Sequence, residues 1–247
     1  MKIELIHNTP LWIASRAIRK CWSSEDKSDT TCTIAQGFGE DDISGVDLSL
    51  VNIEHATDVV VGTKDKELMH RVGNKNKHAS TLEHINYTFD IDGISRACLQ
   101  ELARHRHASM SVKSTRYTLK ELKEEKGFVS YQNGGNYNIL KEQRDRAYKY
   151  IVTTGVGIVD DALVRGLEGL RVSISNGVSN DKAKYSLPEA YKTSLVWTIN
   201  MRSLQNFLAL RTNKAALWEI RDLAYEIYKQ LPEDHKYMFT EFIYEEK

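Results

Sequence analysis

Two stretches far apart in the chain read as long strands, the first by the alternation of its side chains and the second by their type. His84-Ile-Asn-Tyr-Thr-Phe-Asp-Ile91 puts Ile85, Tyr87, Phe89 and Ile91 on one face, and Tyr191-Lys-Thr-Ser-Leu-Val-Trp-Thr-Ile199 is rich in β-branched and aromatic residues. Each has an apolar face that needs a second layer to cover it. Lys2 to His7 alternates in the same way. Around these strands the pattern is helical. Thr9-Pro10 offers a cap and a first-turn proline for a helix through about Trp22, and Lys64 to Val72 reads as another. Gly93 ends the strand that begins at His84, and Ser95 caps a helix to about His105. Leu119 to Glu125 reads as a short helix, and about Asn138 to Leu170 as helical but interrupted by glycines. Ser203 caps a helix to about Leu210, and Lys214 to Leu231 makes the last. Strands and helices mix without a βαβ repeat, which predicts an α+β fold: an antiparallel sheet with surrounding helices, not a doubly wound parallel sheet.

No composition break marks a boundary, so residues 1–247 read as a single domain large enough to bury a sizeable core. Ser23 to about Gly45 is polar and Gly-rich and contains Glu40-Asp41-Asp42, which predicts a flexible insertion at about 23–63. No run approaches the roughly 18 to 20 apolar residues of a membrane span, and Met1 to Pro10 lacks a basic segment followed by an apolar one. The expectation is a cytoplasmic protein with no membrane partner. Cys21, Cys32 and Cys98 show no Cys-x-x-Cys spacing, which fits a reducing compartment. Ile94, Cys98 and Leu102 share one helical face, so Cys98 reads as a buried structural thiol and not a nucleophile.

Lys and Arg together number 34, as do Asp and Glu, and zero net charge argues against a partner held by bulk charge. The distribution is uneven. Leu102 to Lys120 carries Arg104, Arg106, Lys113, Arg116 and Lys120 with no carboxylate, and Ala190 to Trp218 carries Lys192, Arg202, Arg211 and Lys214 with none either. Neither window supplies its own acidic partners, which would leave these guanidinium groups free to meet an anion. Arg matches phosphate bidentately, and Ser109, Ser111 and Ser114 add short donors nearby. From charge alone, an anion site and a solvated basic face fit equally.

Other chemistries have less support. Histidines 78, 84, 105 and 107 form no His-x-x-x-His pair with an accompanying carboxylate, so no metal site is expected. Gly37-Phe-Gly39 and Gly155-Val-Gly157 lack the dinucleotide and P-loop fingerprints, the second lies in a helical stretch, and both read as flexibility. Tyr148, Tyr150, Trp197 and Trp218 read as core or interface and not as a base-stacking platform.

Within the first basic window, Arg104-His-Arg-His-Ala-Ser-Met-Ser-Val-Lys-Ser114, followed by Thr115-Arg116-Tyr117, resembles the signature of the flavin-dependent thymidylate synthases. Two further segments resemble that family in the same order and spacing. His78-Ala-Ser-Thr-Leu-Glu-His84 is similar to its His-x-Thr-Pro-Phe-Glu-His, and Asn200-Met-Arg-Ser-Leu-Gln-Asn-Phe-Leu-Ala-Leu-Arg211 is similar to its Asn-x-Arg-Ser-x-x-Asn-Phe-x-x-x-Arg. The likeness covers roughly residues 1 to 22 and 64 to 231. It implies a thymidylate synthase-complementing-protein type fold and a homotetramer with active sites at subunit interfaces. The implied flavoprotein uses FAD to convert dUMP to dTMP, with methylenetetrahydrofolate as carbon donor and NADPH as reductant. In that family the reduced flavin, and not a cysteine, drives the methylation, in agreement with the absence of a convincing thiol nucleophile.

The resemblance also implies roles by position. Arg104, His105 and Arg106 meet the flavin, with Arg104 also near the nucleotide; His78 lies beside the isoalloxazine, and Ser80 stands where the family has a flavin-contacting Thr. Asn200, Arg202 and Asn206 hold the flavin, while Ser114, Thr115 and Arg116 bind dUMP from a neighbouring subunit. Arg211 is the catalytic residue, its fixed charge stabilising the pyrimidine with its N3 proton removed. Lys184, in Ala183-Lys-Tyr-Ser-Leu-Pro188, replaces an Arg that binds nucleotide and keeps the charge without the fork, and Glu101 and Val112 stand where many members have Gln and Glu. Glu101 is therefore a candidate nucleotide contact. Two alternatives remain: a non-catalytic nucleic-acid-binding module using the basic windows, and a flavoprotein of this fold that has lost synthase activity. The first would depend steeply on salt, and the enzyme reading has no nucleic-acid partner.

Overall fold

The computed structural model describes residues 1–34, 56–131 and 137–244. In chain order the strands are β1 (Lys2–Asn8), β2 (Thr31–Ile34), β3 (Ala56–Val60), β4 (Asn86–Ser95), β5 (Ala108–Val112), β6 (Ser130–Tyr131), β7 (Tyr137–Asn138) and β8 (Lys192–Asn200). The helices are α1 (Trp12–Cys21), α2 (Thr63–Met69), α3 (Arg96–Leu102), α4 (Thr115–Thr118), α5 (Lys141–Ala147), α6 (Gly157–Ser175), α7 (Asn180–Ala183), α8 (Met201–Arg211), α9 (Trp218–Gln230) and α10 (Glu233–Lys236). A four-stranded sheet has the order β1-β4-β8-β5, so β4 and β8, which contain most of the two long predicted strands, lie side by side at its centre. β2 pairs antiparallel with β3, and β6 with β7. The class is the expected α+β, an antiparallel sheet with surrounding helices.

The chain divides into two compact units. The first comprises Met1–Glu4, Asp90–Trp197 and Leu217–Leu223; the second comprises Leu5–Phe89, Thr198–Ala216 and Ala224–Lys247. In the first, α6 buries Val164, Leu167, Leu170 and Ile174 at helical spacing against Leu119, Leu122, Phe128, Ile151 and Tyr191. Asp160, in the first turn of α6, accepts the backbone N–H and the hydroxyl of Thr154, each at 2.8 Å, and so ties the incoming chain to the helix. Gly155 has a φ of 75° and precedes α6, whose first residue is Gly157, so Gly155-Val-Gly157 leads into the start of the helix and does not interrupt its interior. Gly93 does not end β4. It passes through a left-handed φ of 80°, and the strand runs on to Ser95.

In the second unit, Tyr87 and Phe89 of β4 stack at 6.4 Å, and Phe239 meets Tyr87 edge-on at 5.8 Å. Thr9 is not a helix cap. Its N–H donates to Asn86 O at 2.9 Å and its Oγ1 accepts the Asn86 N–H at 3.1 Å, so it extends the pairing of the chain with the start of β4, and α1 begins only at Trp12. The helical stretch near residue 64 closes in a π-helical turn, His70–Lys75. A Cβ on Gly73 would lie 2.9 Å from Leu82 Cδ1, so glycine there lets that turn approach the 3-10 turn Ala79–His84.

Carboxylates tie residues 28–30, inside the expected insertion at about 23–63, to the start of α2. Ser28 and Thr30 donate to Asp65 Oδ2, each at 2.6 Å, and Asp29 accepts the N–H groups of Lys64 and Asp65 at 2.8 and 3.0 Å. Burial would raise the Asp29 carboxyl, but those backbone donors and Lys64 outweigh it and hold it below the usual range. Gly37-Phe-Gly39 and Glu40-Asp41-Asp42 lie outside the described residues.

Candidate functional site

In the second unit, two of the motif segments pack on one another. The N–H of Met201, the first residue of α8, donates to Ile85 O at 2.7 Å, and α8 rests against the 3-10 turn Ala79–His84. Arg202 Nη1 and Glu83 Oε1, one from each segment, are 2.7 Å apart. Helical spacing sets the outward face. Met201, Leu204, Gln205, Phe207 and Leu208 are buried, which leaves Arg202 and Asn206, one turn apart, exposed on the opposite side. Asn200 caps the helix by accepting the Ser203 N–H at 2.9 Å, so the cap is Asn200 and not Ser203. His78 and Ser80 are exposed; the carbonyl of His78 accepts the Thr81 hydroxyl at 3.2 Å. Arg211, half-buried, ends α8.

In the first unit, Ser95 caps α3 by accepting the Cys98 N–H at 2.9 Å, and Glu219 takes the Ser95 N–H at 2.7 Å together with its hydroxyl. The cap is as expected, but α3 ends at Leu102 because Ala108–Val112 becomes β5, and Arg104, His105 and Arg106 occupy the turn between. Along β5, Ser109 and Ser111 are exposed while Ala108 and Met110 are half-buried. Arg104 Nη1 lies 3.6 Å from Glu101 Oε2. Ser114 stands at the start of α4, Thr115 is buried, and α4 packs against α7, so Ser114, Thr115 and Arg116 come to the neighbourhood of Lys184.

The basic windows are not free of carboxylates in space. Arg116 is bidentate to Asp181 at 2.7 and 3.4 Å, Arg202 pairs with Glu83, and Lys113 Nζ lies 3.3 Å from Glu121 Oε1. The acids lie outside the windows in sequence, and the fold returns them. Lys192 is diverted altogether: its Nζ donates to Tyr148 O at 2.6 Å, and burial pushes its ammonium below the usual lysine range. A continuous basic face for nucleic acid therefore has less support than charge counting gave it.

A model of the family described as thymidylate synthase complementing protein matches residues 4–235. The chain belongs to that family. A flavin-dependent thymidylate synthase of Wolinella succinogenes is 51% identical over 239 residues, 97% of each chain. One from Campylobacter jejuni strain RM1221 is 47% identical over 246 residues, 100% of this chain and 99% of the relative. A crystal structure of thymidylate synthase X from Helicobacter pylori, with FAD and dUMP, is 43% identical and superimposes with a TM-score of 0.80 over 99% of this chain and 100% of that one. Against the family pattern, sequence reasoning missed the acidic partners Glu83 and Asp181. Glu83 lies inside a quoted motif, where its charge was a usable signal; Asp181 is 65 residues from Arg116 and gave none.

Proposed function

We propose that this thymidylate synthase complementing family member methylates dUMP to dTMP through FAD, with methylenetetrahydrofolate as carbon donor and NADPH as reductant. The full-length identity to flavin-dependent thymidylate synthases carries this reading. FAD supplies the redox chemistry when bound, and the side chains bind, orient and polarise. The exposed imidazole of His78, the hydroxyl of Ser80 and the outward-facing Arg202 and Asn206 are donors suited to flavin carbonyls and pyrophosphate. Asn200 spends its carbonyl on the helix cap, which leaves its amide N–H groups for the flavin. Arg104, His105 and Arg106 add donors for the same cofactor.

Ser114, Thr115, Arg116, Lys184 and Glu101 hold dUMP, the first three acting from a neighbouring subunit of a homotetramer that works in the cytoplasm. Arg211 is the catalytic residue. A guanidinium keeps its charge at any working pH, so set against the uracil edge it stabilises the ring with its N3 proton removed and makes the carbon to be methylated more electron-rich. The test is spectroscopic. The purified protein should be yellow, and its reduced flavin should reoxidise when dUMP and methylenetetrahydrofolate are both supplied. A colourless protein that cannot be reconstituted with FAD refutes the reading.

A further inference from the structure

We propose that Asp181 is a displaceable counter-ion that occupies the Arg116 guanidinium until a nucleotide phosphate takes its place, and thereby sets the affinity for dUMP. The inference rests on the reading of Arg116 as a phosphate ligand. Its basis is geometric. The two carboxylate oxygens of Asp181 face Nε and Nη2 of Arg116 at 2.7 and 3.4 Å, the arrangement that two oxygens of a phosphate adopt on the same fork. A neighbouring side chain helps to present this carboxylate: Asn180 Nδ2 donates to Arg116 O at 2.7 Å and fixes the first residue of α7 on α4. Lys184 follows Asp181 by three residues and closes α7, so the helix that carries this carboxylate also carries a cation that the proposed site assigns to the nucleotide.

Both partners are solvent-exposed, at 57% for Arg116 and 60% for Asp181, and an exposed pair of this kind is weak. A phosphate that carries close to two negative charges binds the same guanidinium more strongly and repels Asp181. The side chain therefore opposes nucleotide binding by competing for Arg116 and by repelling the incoming phosphate. Only the competition depends on Arg116.

The experiment compares dUMP and deoxyuridine binding to the flavin-loaded protein by calorimetry, for wild type, Asp181→Asn, Arg116→Gln and the double variant. Asp181→Asn should tighten dUMP about threefold to tenfold and leave deoxyuridine, which lacks the phosphate, unchanged. In the Arg116→Gln background most of that gain should vanish. Asp181→Ser should act in the same direction. Unchanged or weaker dUMP binding in both Asp181 variants overturns the proposal, as does a gain that persists in full without Arg116. If Arg116→Gln alone binds dUMP as wild type does, the assignment of Arg116 to the phosphate fails, and the proposal fails with it.

Discussion

The backbone N–H of Tyr244 donates to Oγ1 of Thr212 at 2.9 Å, and that hydroxyl donates in turn to Leu208 O at 2.7 Å. Thr212 is wholly buried, and the Tyr225 hydroxyl reaches its carbonyl at 3.2 Å and that of Tyr244 at 2.7 Å. One side chain thus ties the C-terminal segment to the end of α8, next to Arg211. Thr212→Val keeps the shape and removes both hydroxyl bonds, leaving the Tyr244 N–H without its acceptor. The expected loss is about 1 to 3 kcal/mol, read as a fall in Tm, and Thr212→Ser should recover most of it. A valine variant with the Tm of wild type would show that the hydroxyl contributes nothing.

Arg211→Ala should lower turnover at saturating dUMP by at least about a hundredfold while leaving bound flavin in place. Arg211→Lys should restore little, since an ammonium keeps the charge but loses the planar fork. Turnover normalised to flavin absorbance separates this from cofactor loss. A variant that sheds FAD yet still methylates would contradict the role assigned.

The central strands were legible because their signals are local: alternation in His84 to Ile91, of which Asn86 onward lies in β4, and β-branched and aromatic residues in Tyr191 to Ile199, of which Lys192 onward lies in β8. The Ser95 cap was legible for the same reason, since capping is decided within three residues. For α8 the sequence pointed to Ser203 alone, and the fold uses Asn200, three residues earlier. Gly93 was read as a stop because glycine often ends strands, yet its freedom at positive φ lets β4 continue. The charge pattern misled most. A window without acids is a one-dimensional fact, and Asp181 and Glu83 reach Arg116 and Arg202 only through packing of α7 on α4 and of α8 on the 79–84 turn.

Asp65 illustrates how much can rest on one buried carboxylate. It is fully buried and accepts from Arg19 Nε at 2.6 Å, from the same guanidinium at a second nitrogen, and from Ser28 and Thr30. Removing one member of such a pair leaves the other charge buried without a counter-ion. Asp65→Ala should therefore cost about 3 to 5 kcal/mol in chemical denaturation. The double variant Arg19→Met/Asp65→Ala should be less damaged than Asp65→Ala alone, because no charge is left stranded. A double variant as unstable as the sum of the two singles would remove this explanation.

His235 is a source of acid sensitivity. It is buried, and its Nδ1 lies 2.8 Å from the Tyr87 hydroxyl. Burial pushes the Tyr87 phenol well above its ordinary value, with Asp234 and Tyr237 adding to the shift, so the phenol keeps its proton, and the imidazole tautomer sets which of the two groups donates. Burial also holds His235 below its ordinary 6.5, with the nearby Asp234 opposing the shift only in part. The unfolded chain therefore takes up a proton near pH 6.5 that the folded protein refuses until a lower pH. Above that range this group leaves stability unchanged. As pH falls below about 6.5, stability drops by up to about 1.4 kcal/mol per pH unit until the folded imidazole also protonates. His235→Asn offers Tyr87 an acceptor that does not titrate, so its unfolding free energy should fall less steeply between pH 7 and pH 5.5. Urea denaturation of both proteins at each pH measures the difference, and parallel slopes would place the acid sensitivity elsewhere.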